Sequence, residues 1–584
     1  MTPRAWLILP LLALLATAPA LAQESVLMRA MRDELQRTMS ELQLRDMGKP
    51  YFVSYQVHET TSARATASLG APVSRSEGAS RLLSVEVRVG DASFDNTNLF
   101  TRPEFGSALS RAGFPTTLPL EDDYSELRRK IWLATDSAYK QALDHLSKKR
   151  AVLQNATQVE QVPDFSVQEP DRHDDERPLA EISVSALEAL ALEVSAGFRG
   201  LPHVSVSEVE VEAASRRVSY VNSEGTSFTR LDPTASVQIS AGTQGDDGTT
   251  FEDSTSVHAR IWERLPDRAE LLALAADLAE RLQRLRGAPV LDRYTGPVLF
   301  EGQAAAEVVR QVLVPRLLAV RVPMADDSRF ARAMERAGNP FVDKLGSRVL
   351  PRFLDVVDDP AREDHEQVAL LGGYSIDDEG VAAQQTALIQ RGILKTLLST
   401  RNPVQGVPAS NGHRRGGGPA PSNLFVVPRQ GLAPDELRGE LLSLVEEREL
   451  EFGIVVRRVG NAAGRISRER GPGSATRSGE RSEIAGAVAY KLFADGREEL
   501  VGKVVLAGMQ ESDFRDIVAA SEASAVHSAR FLAGSGSALG FAAVRRPVVV
   551  SLVVPSLLFE DVTIRRPSGN IPRPPLLPHP LAGG

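Results

Sequence analysis

Apolar residues recur at intervals of three or four in several stretches of the chain, which is the spacing of one helix face. Residues 24–42 show this period, as do residues 124–149 and 267–286. The last stretch is followed by Gly287, and glycine is common just beyond a helix C-terminus. We therefore predict three helices in the first half of the chain.

Between these helices the pattern changes to short segments rich in β-branched and aromatic residues, separated by glycine turns. Such segments predict antiparallel strands, and they occupy residues 51–57, 63–69, 82–89, 204–211, 218–221 and 235–240. Prolines and a charge run within 162–177 favour an exposed connection. The wider 104–177 region is interpreted as an insertion or linker.

Beyond residue 287 strands dominate the prediction. They are expected at 298–300, 368–374, 384–390, 453–459, 485–493, 500–505 and 548–554, with helices at 303–320 and 434–449. The predicted fold class is therefore α+β. An N-terminal domain of antiparallel sheet plus helices spans 23–287, and a β-rich C-terminal domain with one central helix after its first strand spans 288–566. Residues 567–584 are too rich in proline to pack as an element.

The first 22 residues have the order of a secretory signal: Arg4, an apolar run to Ala20 interrupted by Pro10, and the small-residue end Ala20-Leu21-Ala22. The apolar run is shorter than the roughly 20 residues that a spanning helix needs. We expect cleavage near Ala22 and export to the periplasm or the medium. No other segment has the apolar length of a stable membrane span.

Composition removes several function classes. The chain of 584 residues has no cysteine, so it has neither a disulfide nor a thiolate for a metal. Its net charge of −9 is spread without a basic stripe, which argues against a nucleic acid partner. A mature chain of this length exceeds what one core usually serves, so at least two domains are expected.

Four segments in one order carry a family resemblance. They are GSRVLPRFLDVVDDP from Gly346, LGGYSIDDEG from Leu371, the turn from Gly392 to Lys395, and SNGHRRGGGPAPSNLFV from Ser410. Together they resemble the C-terminal domain of the TldD/PmbA family. The resemblance implies one of two kinds of member: a peptidase that holds zinc on a helix, or a metal-free partner subunit of the TldE/PmbA type.

In the catalytic branch of that family, a helix after a strand carries HExxxH, in which two imidazoles bind zinc and the glutamate is a general base. The resemblance places these positions at Arg310, Gln311 and Pro315. Arginine stays protonated, proline has no donor side chain, and a carboxamide does not accept a proton at neutral pH. We therefore predict a degenerate motif, no catalytic residue, and no cofactor.

Other residues offer weaker metal sites. His365 begins an HE pair without a second histidine, and His413 stands in a glycine-rich loop. Asp377 and Asp378 could bind a hard cation, although a hairpin turn ending at Gly380 explains them about as well. For His413 the alternative is a turn residue whose ring hydrogen-bonds the backbone. A zinc peptidase that uses these relocated ligands remains the alternative interpretation.

The favoured interpretation is an exported, non-catalytic subunit that helps an HExxxH-bearing TldD-like relative to degrade extended or unfolded peptides. Such a subunit would offer a sheet edge or groove to the peptide. The candidate substrate-binding residues are Arg401, Asn402, Asn411 and His413. A further alternative is a non-enzymatic scaffold of the cell envelope.

Overall fold

The computed structural model describes residues 24–567 except 46, 102–114, 155–161, 176, 246–247, 337, 461–482 and 534–545. The predicted signal at 1–22 lies outside the described residues, as does nearly all of the predicted tail. Among the described residues, no helix combines the length and the apolar character needed to cross a membrane.

The helices of the described residues are α1 to α7 in chain order. They are Val26–Glu41, Tyr124–Gln154, Val184–Ala196, Arg268–Arg286, Gln303–Val308, Ser328–Arg336 and Pro434–Glu447. The strands of the first half are β1 to β8: Pro50–Ser68, Ala71–Val89, Leu99–Phe100, Thr116–Thr117, Arg172–His173, Val206–Asn222, Ser227–Gln244 and Thr250–Ala259. The strands of the second half begin with β9 to β16: Arg293–Phe300, Met324–Ala325, Leu354–Asp358, Asp364–His365, Val368–Ala369, Thr386–Gln390, Ile393–Leu394 and Arg414–Arg415. They end with β17 to β23: Gly418–Pro419, Asn423–Pro428, Phe452–Arg458, Glu483–Phe493, Glu498–Ala507, Ile517–Leu532 and Pro547–Arg565.

The fold class is α+β, as predicted. The first half forms a sheet in the order β4-β2-β1-β6-β7, to which β5 and β8 add along β7. Its long strands are antiparallel. Odd-numbered side chains such as Tyr55 and Val211 enter two apolar cores, one with α1 and α2 and the other with α3 and α4. Even-numbered side chains such as His58 and Arg230 lie on the opposite face, which packs against the second half of the chain.

The second half is a large sheet in the order β15-β14-β11-β18-β23-β21-β20-β19-β9, with β22 added to β23. Strand β9 pairs with both β19 and β23, so the strands from β23 through β21, β20 and β19 back to β9 close into a ring. Helix α5 packs on this ring and contributes Ala304, Ala305 and Val308 to its buried core.

Several sequence expectations are corrected by these elements. The strands predicted at 51–57 and 63–69 are one strand, β1, because the polar segment between them is held by β2 on one side and β6 on the other. The same applies to 204–211 and 218–221, which are both part of β6. Of the strand predicted at 368–374, only Val368–Ala369 is extended.

The predicted connection at 162–177 is not exposed throughout. Asp164 and Phe165 are buried, with 1% and 4% of their surface exposed. The ring of Phe165 packs between Phe52 and the guanidinium of Arg88, at 4.7 and 3.8 Å. An aromatic ring that stacks on both another ring and a cation is more stable when buried than when exposed in a linker.

The helix predicted at 303–320 also differs. It is α-helical only for Gln303–Val308, then widens into a π-helical turn at Val309–Leu313, and tightens into a 3-10 turn at Val314–Leu317. Pro315 explains the change, because it has no N–H to donate to the carbonyl four residues earlier and its ring crowds that carbonyl. Arg310, Gln311 and Pro315, where a degenerate motif is predicted, therefore lie on an irregular helix.

Candidate functional site

Two of the predicted motif residues, Arg310 and Gln311, contact a buried carboxylate, Glu307, which the sequence analysis did not single out. Glu307 is fully buried on α5, one turn before Arg310. Its oxygens accept hydrogen bonds from Arg310 at 2.8 to 3.1 Å and from Gln311 Nε2 at 2.8 Å. The imidazole Nε2 of His527, on β22, donates to Glu307 Oε1 at 2.9 Å. We call these four residues the Glu307 cluster.

Electrostatics keep the carboxylate of Glu307 ionised. Burial alone would raise its pKa, but the hydrogen bond from His527 and the positive charge of Arg310 outweigh burial and lower the pKa to about 2. Charge-assisted hydrogen bonds of this kind are roughly twice as strong as neutral ones. The Glu307 cluster is thus an internally neutralised ion pair at neutral pH.

The residues of this helix do not fit a zinc ion. Zinc requires lone-pair donors, and the guanidinium of Arg310 has none to give. Pro315 has no donor side chain. The amide N–H groups of Gln311 donate to Glu307 and to the carbonyl of Gly460. The carboxylate of Glu307 already forms an ion pair with Arg310. Within the described ranges, no three His, Asp or Glu side chains converge in an arrangement that could hold a metal.

His413 is buried in the loop that precedes β16, and both of its ring nitrogens have hydrogen-bond partners. Nδ1 donates to the backbone carbonyl of Asn411 at 2.9 Å, and Nε2 lies 2.9 Å from Asp358 Oδ1. Asp358 is fully buried and also accepts from the backbone N–H of Ser422. The ring of His413 therefore links a loop to the end of β11, which is the turn-residue role weighed in the sequence analysis.

Asp377 and Asp378 lie in a tight turn and are satisfied by the protein. Asp377 is fully buried and accepts from the backbone N–H groups of Glu379, Val381 and Arg414, at 2.8, 2.9 and 3.1 Å. Burial, together with the neighbouring charge of Glu379, raises the pKa of Asp377. Asp378 Oδ1 accepts from Arg230 Nη2 at 2.6 Å.

The turn that carries these two aspartates docks on the N-terminal sheet through Gly380. This glycine has φ of +76°, and a Cβ there would lie 2.5 Å from Thr226 Cγ2. The positive φ and the close approach both require glycine at this position.

Arg401 and Asn402 lie between the two halves of the chain. Arg401 is 1% exposed, and its guanidinium donates to both carboxylate oxygens of Glu224 at 2.6 and 2.7 Å. It also donates to the carbonyl of Ser166 and stacks 3.9 Å from the ring of Phe165. Asn402 Oδ1 accepts from Arg88 at 2.9 Å. Both residues fasten the C-terminal sheet to the N-terminal half, and their substrate-binding role stays a prediction.

His365 lies apart from these groups, on a two-strand hairpin of β12 and β13. Its Nδ1 is 3.3 Å from Arg362 Nη2, and its ring packs edge-on against Phe425. The structure therefore does not bring His365 and His413 together with the two aspartates as one ligand set among the described residues.

A cleft of about 380 Å³ opens where β14 separates from the segment that follows β15. We call it the β14 cleft. It is lined by residues 384–387, Thr396 and residues 406–411, of which Thr386, Val407 and Ser410 are buried. Asn411 is the only one of the four predicted substrate-binding residues among the lining residues. Its amide is fixed there, because it accepts from the N–H of Ser399 at 2.8 Å and donates to the carbonyl of Leu397 at 2.9 Å.

The β14 cleft borders an open stretch of sheet. Strand β15 has only two residues, and beyond it the N–H of Lys395 donates to the carbonyl of Leu388 at 2.7 Å. The pairing of β14 with β11 shifts register between Ile389 and Ala387, and Thr386 is opposite Asp358 of β11.

Sequence reasoning missed Glu307 and His527. The three-residue spacing of Glu307 and Arg310 on a predicted helix could have indicated their pairing, because such residues are neighbours on a helix surface. His527 is separated from Glu307 by 220 residues of sequence, so no local pattern indicated it.

Comparison with known proteins was made by sequence family and by structure. Residues 177–286 match the model of the PmbA/TldA metallopeptidase central domain, and residues 293–566 match that of the C-terminal domain. A metalloprotease of Methanocaldococcus jannaschii is 44% identical over 61 residues, which are 10% of this chain and 12% of the relative. A metalloprotease of Methanothermobacter thermautotrophicus is 25% identical over 252 residues, 42% of this chain and 50% of the relative. The chain thus matches half or less of the length of these curated relatives.

Solved structures share the fold over nearly the whole chain. TldE from Thermococcus kodakarensis superposes with a TM-score of 0.56 at 13% identity, covering 92% of this chain and all of that one. A proposed modulator of DNA gyrase from Thermotoga maritima gives 0.55 at 16% identity, covering 88% and 96%. A similar protein from Bacteroides thetaiotaomicron gives 0.56 at 13% identity, covering 93% and 98%.

Proposed function

Because the chain belongs to the PmbA/TldD metallopeptidase family, we propose that it is a non-catalytic, peptide-binding subunit that works with a zinc-bearing relative in proteolysis. The observation that carries this proposal is the pair of Arg310 with Glu307, in which Nη2 and Oε2 are 2.8 Å apart. Arg310 stands where the family resemblance puts the first zinc ligand, and a cation is already present there in the form of its guanidinium.

The peptide-binding role is supported by the β14 cleft. An extended peptide that enters it can lie along Gln384, Gln385 and Asn411, whose amide groups can bind its backbone. The volume of about 380 Å³ falls within the usual range of ligand sites, about 300 to 1,000 Å³.

The partner in this proposal carries an intact HExxxH helix. It supplies the zinc ion and the general base, while this chain supplies a surface that aligns the peptide and restricts access to the metal. Residues 1–22 of this chain further lead us to propose export, so that the partner works outside the cytoplasm as well.

The experiment is to isolate the tagged chain from its own cell envelope and to identify what accompanies it. We expect a family member that contains HExxxH. Proteolysis of a casein-type unfolded substrate should require the mixture and should stop on chelation, whereas the chain alone should be inactive. Recovery of only self-associated chain would contradict the mixed-subunit proposal, and chelator-sensitive proteolysis by the chain alone would contradict the non-catalytic role.

A further inference from the structure

Three basic side chains lie near enough to affect one another's charge where the even-numbered face of the N-terminal sheet packs against the second half of the chain. They are His58 on β1, Arg216 on β6 and Arg546 just before β23, and we call them the basic cluster. Each has one buried nitrogen without a hydrogen-bond partner among the described residues: His58 Nδ1, Arg216 Nε and Arg546 Nη1. His58 itself is 8% exposed.

The strand register explains why His58 and Arg216 share this face. His58 is opposite Val218 in the pairing of β1 with β6, and Arg216 is two residues from Val218, on the same side of the strand. Arg546 comes from the other half of the chain, where its backbone N–H donates to the carbonyl of Gly416 at 3.0 Å. Gly416 has φ of +61°, and a Cβ there would be 2.2 Å from the carbonyl oxygen of Arg546, so glycine is required for this approach.

The nearby carboxylates do not neutralise the basic cluster. Asp232 and Asp378 are both bound by Arg230, with shortest distances of 2.9 and 2.6 Å. Arg415 lies 3.6 and 3.9 Å from the same two carboxylates. The negative charges of Asp232 and Asp378 are therefore already balanced by the positive charges of Arg230 and Arg415. Among the described residues, no carboxylate lies within ion-pair distance of Arg216 or Arg546.

The charges of the cluster affect one another. Burial lowers the pKa of Arg546 to about 10, and the charge of Arg216 adds to this effect. Burial also lowers the pKa of His58 to about 3, with further lowering by Arg546, Arg216 and Arg230 that exceeds the opposite effect of Asp378. Mutual repulsion between buried cations is costly unless a negative charge compensates it.

From this unpaired positive charge and these unpartnered nitrogens, we propose that the basic cluster of His58, Arg216 and Arg546 binds a phosphate-type oxyanion that carries a proton. Guanidinium groups donate planar N–H pairs that match the oxygens of such an anion. Both arginines are partly exposed, so the anion reaches them from solvent.

The tautomer of His58 explains why the anion is a protonated one. Gln56 Nε2 donates to the carbonyl of Asp378 at 2.9 Å, which directs Gln56 Oε1 toward His58 Nε2 at 3.1 Å. Nε2 therefore carries the ring proton, and the unpartnered Nδ1 is an acceptor. The two forms of inorganic phosphate at neutral pH, hydrogen phosphate and dihydrogen phosphate, can donate an O–H to it, whereas sulfate and acetate cannot.

The test measures binding of inorganic phosphate, sulfate and acetate to the full chain by calorimetry in a chloride buffer at pH 7. We expect saturable binding of phosphate that is about tenfold or more tighter than that of sulfate or acetate. Arg216→Met and Arg546→Met should each weaken phosphate binding about tenfold or more, while Arg217→Met should not. Arg217 is the matched control because it is the next residue on β6 and points to the other face.

Thermal unfolding in chloride buffer shows whether each variant is folded. Removal of an arginine that lacks a carboxylate partner should leave the melting temperature unchanged or higher, whereas a purely structural arginine would lower it. The proposal is overturned if phosphate does not saturate, if sulfate binds as tightly as phosphate, or if Arg216→Met binds phosphate like the parent, which would indicate an adventitious ion only. These results are independent of peptide binding at the β14 cleft.

Discussion

Arg310 and Glu307 lie one helical turn apart, and the guanidinium Nη2 of Arg310 is 2.8 Å from the carboxylate Oε2 of Glu307. Both side chains are buried, and His527 completes the carboxylate's environment from a distant strand. The family resemblance predicts the first zinc ligand of a peptidase at Arg310, so under our proposal a fixed cation replaces an imidazole at this position.

Breaking the pair should cost stability. Glu307→Gln leaves Arg310 buried without its anion, and we expect a loss of about 3–5 kcal/mol in the free energy of unfolding by urea. The double variant Glu307→Leu/Arg310→Met removes both charges and should recover most of that loss, because an apolar pair of similar volume often replaces a buried ion pair without penalty. Equal destabilisation in the single and double variants would show that the pair is not coupled.

Arg401 should stabilise the contact between the N-terminal and C-terminal halves of the chain. Arg401→Met removes both bonds to Glu224 and the two bonds to the carbonyl of Ser166, and we expect a loss of about 3 kcal/mol in the free energy of unfolding. The control is Arg75→Met, which breaks an exposed pair with Glu188 and should cost about 1 kcal/mol or less. If Arg401→Met is as stable as the control variant, the assigned role is wrong.

Acid should destabilise the fold through two buried histidines, an effect that the raised pKa of Asp377 opposes in part. Burial lowers the pKa of His58 to about 3 and that of His258 to about 4, the charge of Arg546 adding to the first effect and that of Arg530 to the second, from an ordinary value of 6.5. Below pH 6.5 the unfolded chain therefore binds more protons than the folded chain, so stability falls as the pH drops from 6.5 toward 4.

Each of the two histidines contributes up to about 1.4 kcal/mol per pH unit in this window. Urea unfolding in chloride buffers from pH 7.5 to 4.5 measures the slope, which His58→Gln should reduce. The same slope in the parent and in His58→Gln would contradict the assignment.

Filling the β14 cleft should weaken peptide binding without affecting the fold. Ala409 is exposed and lines the cleft, so Ala409→Trp adds bulk where a peptide would lie. We expect the affinity for a fluorescein-labelled, unfolded peptide, measured by anisotropy, to fall about tenfold or more. Ala71→Trp places the same side chain on an exposed position at the start of β2 and should bind like the parent. Equal affinities in the two variants would place the peptide elsewhere.

Sequence periodicity located most of the structure, and its errors have identifiable causes. The helices at α1, α2, α4 and α7 follow their apolar stripes to within a few residues, apart from the extension of α2 to Gln154. Strand β22 was not predicted, because its serine and alanine positions give little contrast between its two faces. Helix α3 was also missed; it is rich in alanine and leucine and only four of its residues are buried.

The sequence predicted only those features of the candidate site that lie within one segment of the chain. The family resemblance predicts the loss of zinc ligands at Arg310, Gln311 and Pro315, and this prediction uses only residue types and positions along one helix. The hydrogen-bond partners of these side chains lie in distant parts of the chain. His527 on β22 is the partner of Glu307, and Glu224, in the turn after β6, is the partner of Arg401. Such long-range pairs are set by sheet register and domain packing, which single-chain patterns do not reveal.

The most direct test of the account is the zinc content of the purified chain, alone and in complex with an HExxxH-bearing relative. The account predicts substoichiometric zinc in the chain alone, and in the complex one zinc for each copy of the relative, abolished by substituting the relative's own motif histidines. One tightly held zinc per copy of the isolated chain, lost in His413→Ala together with proteolytic activity, would contradict it.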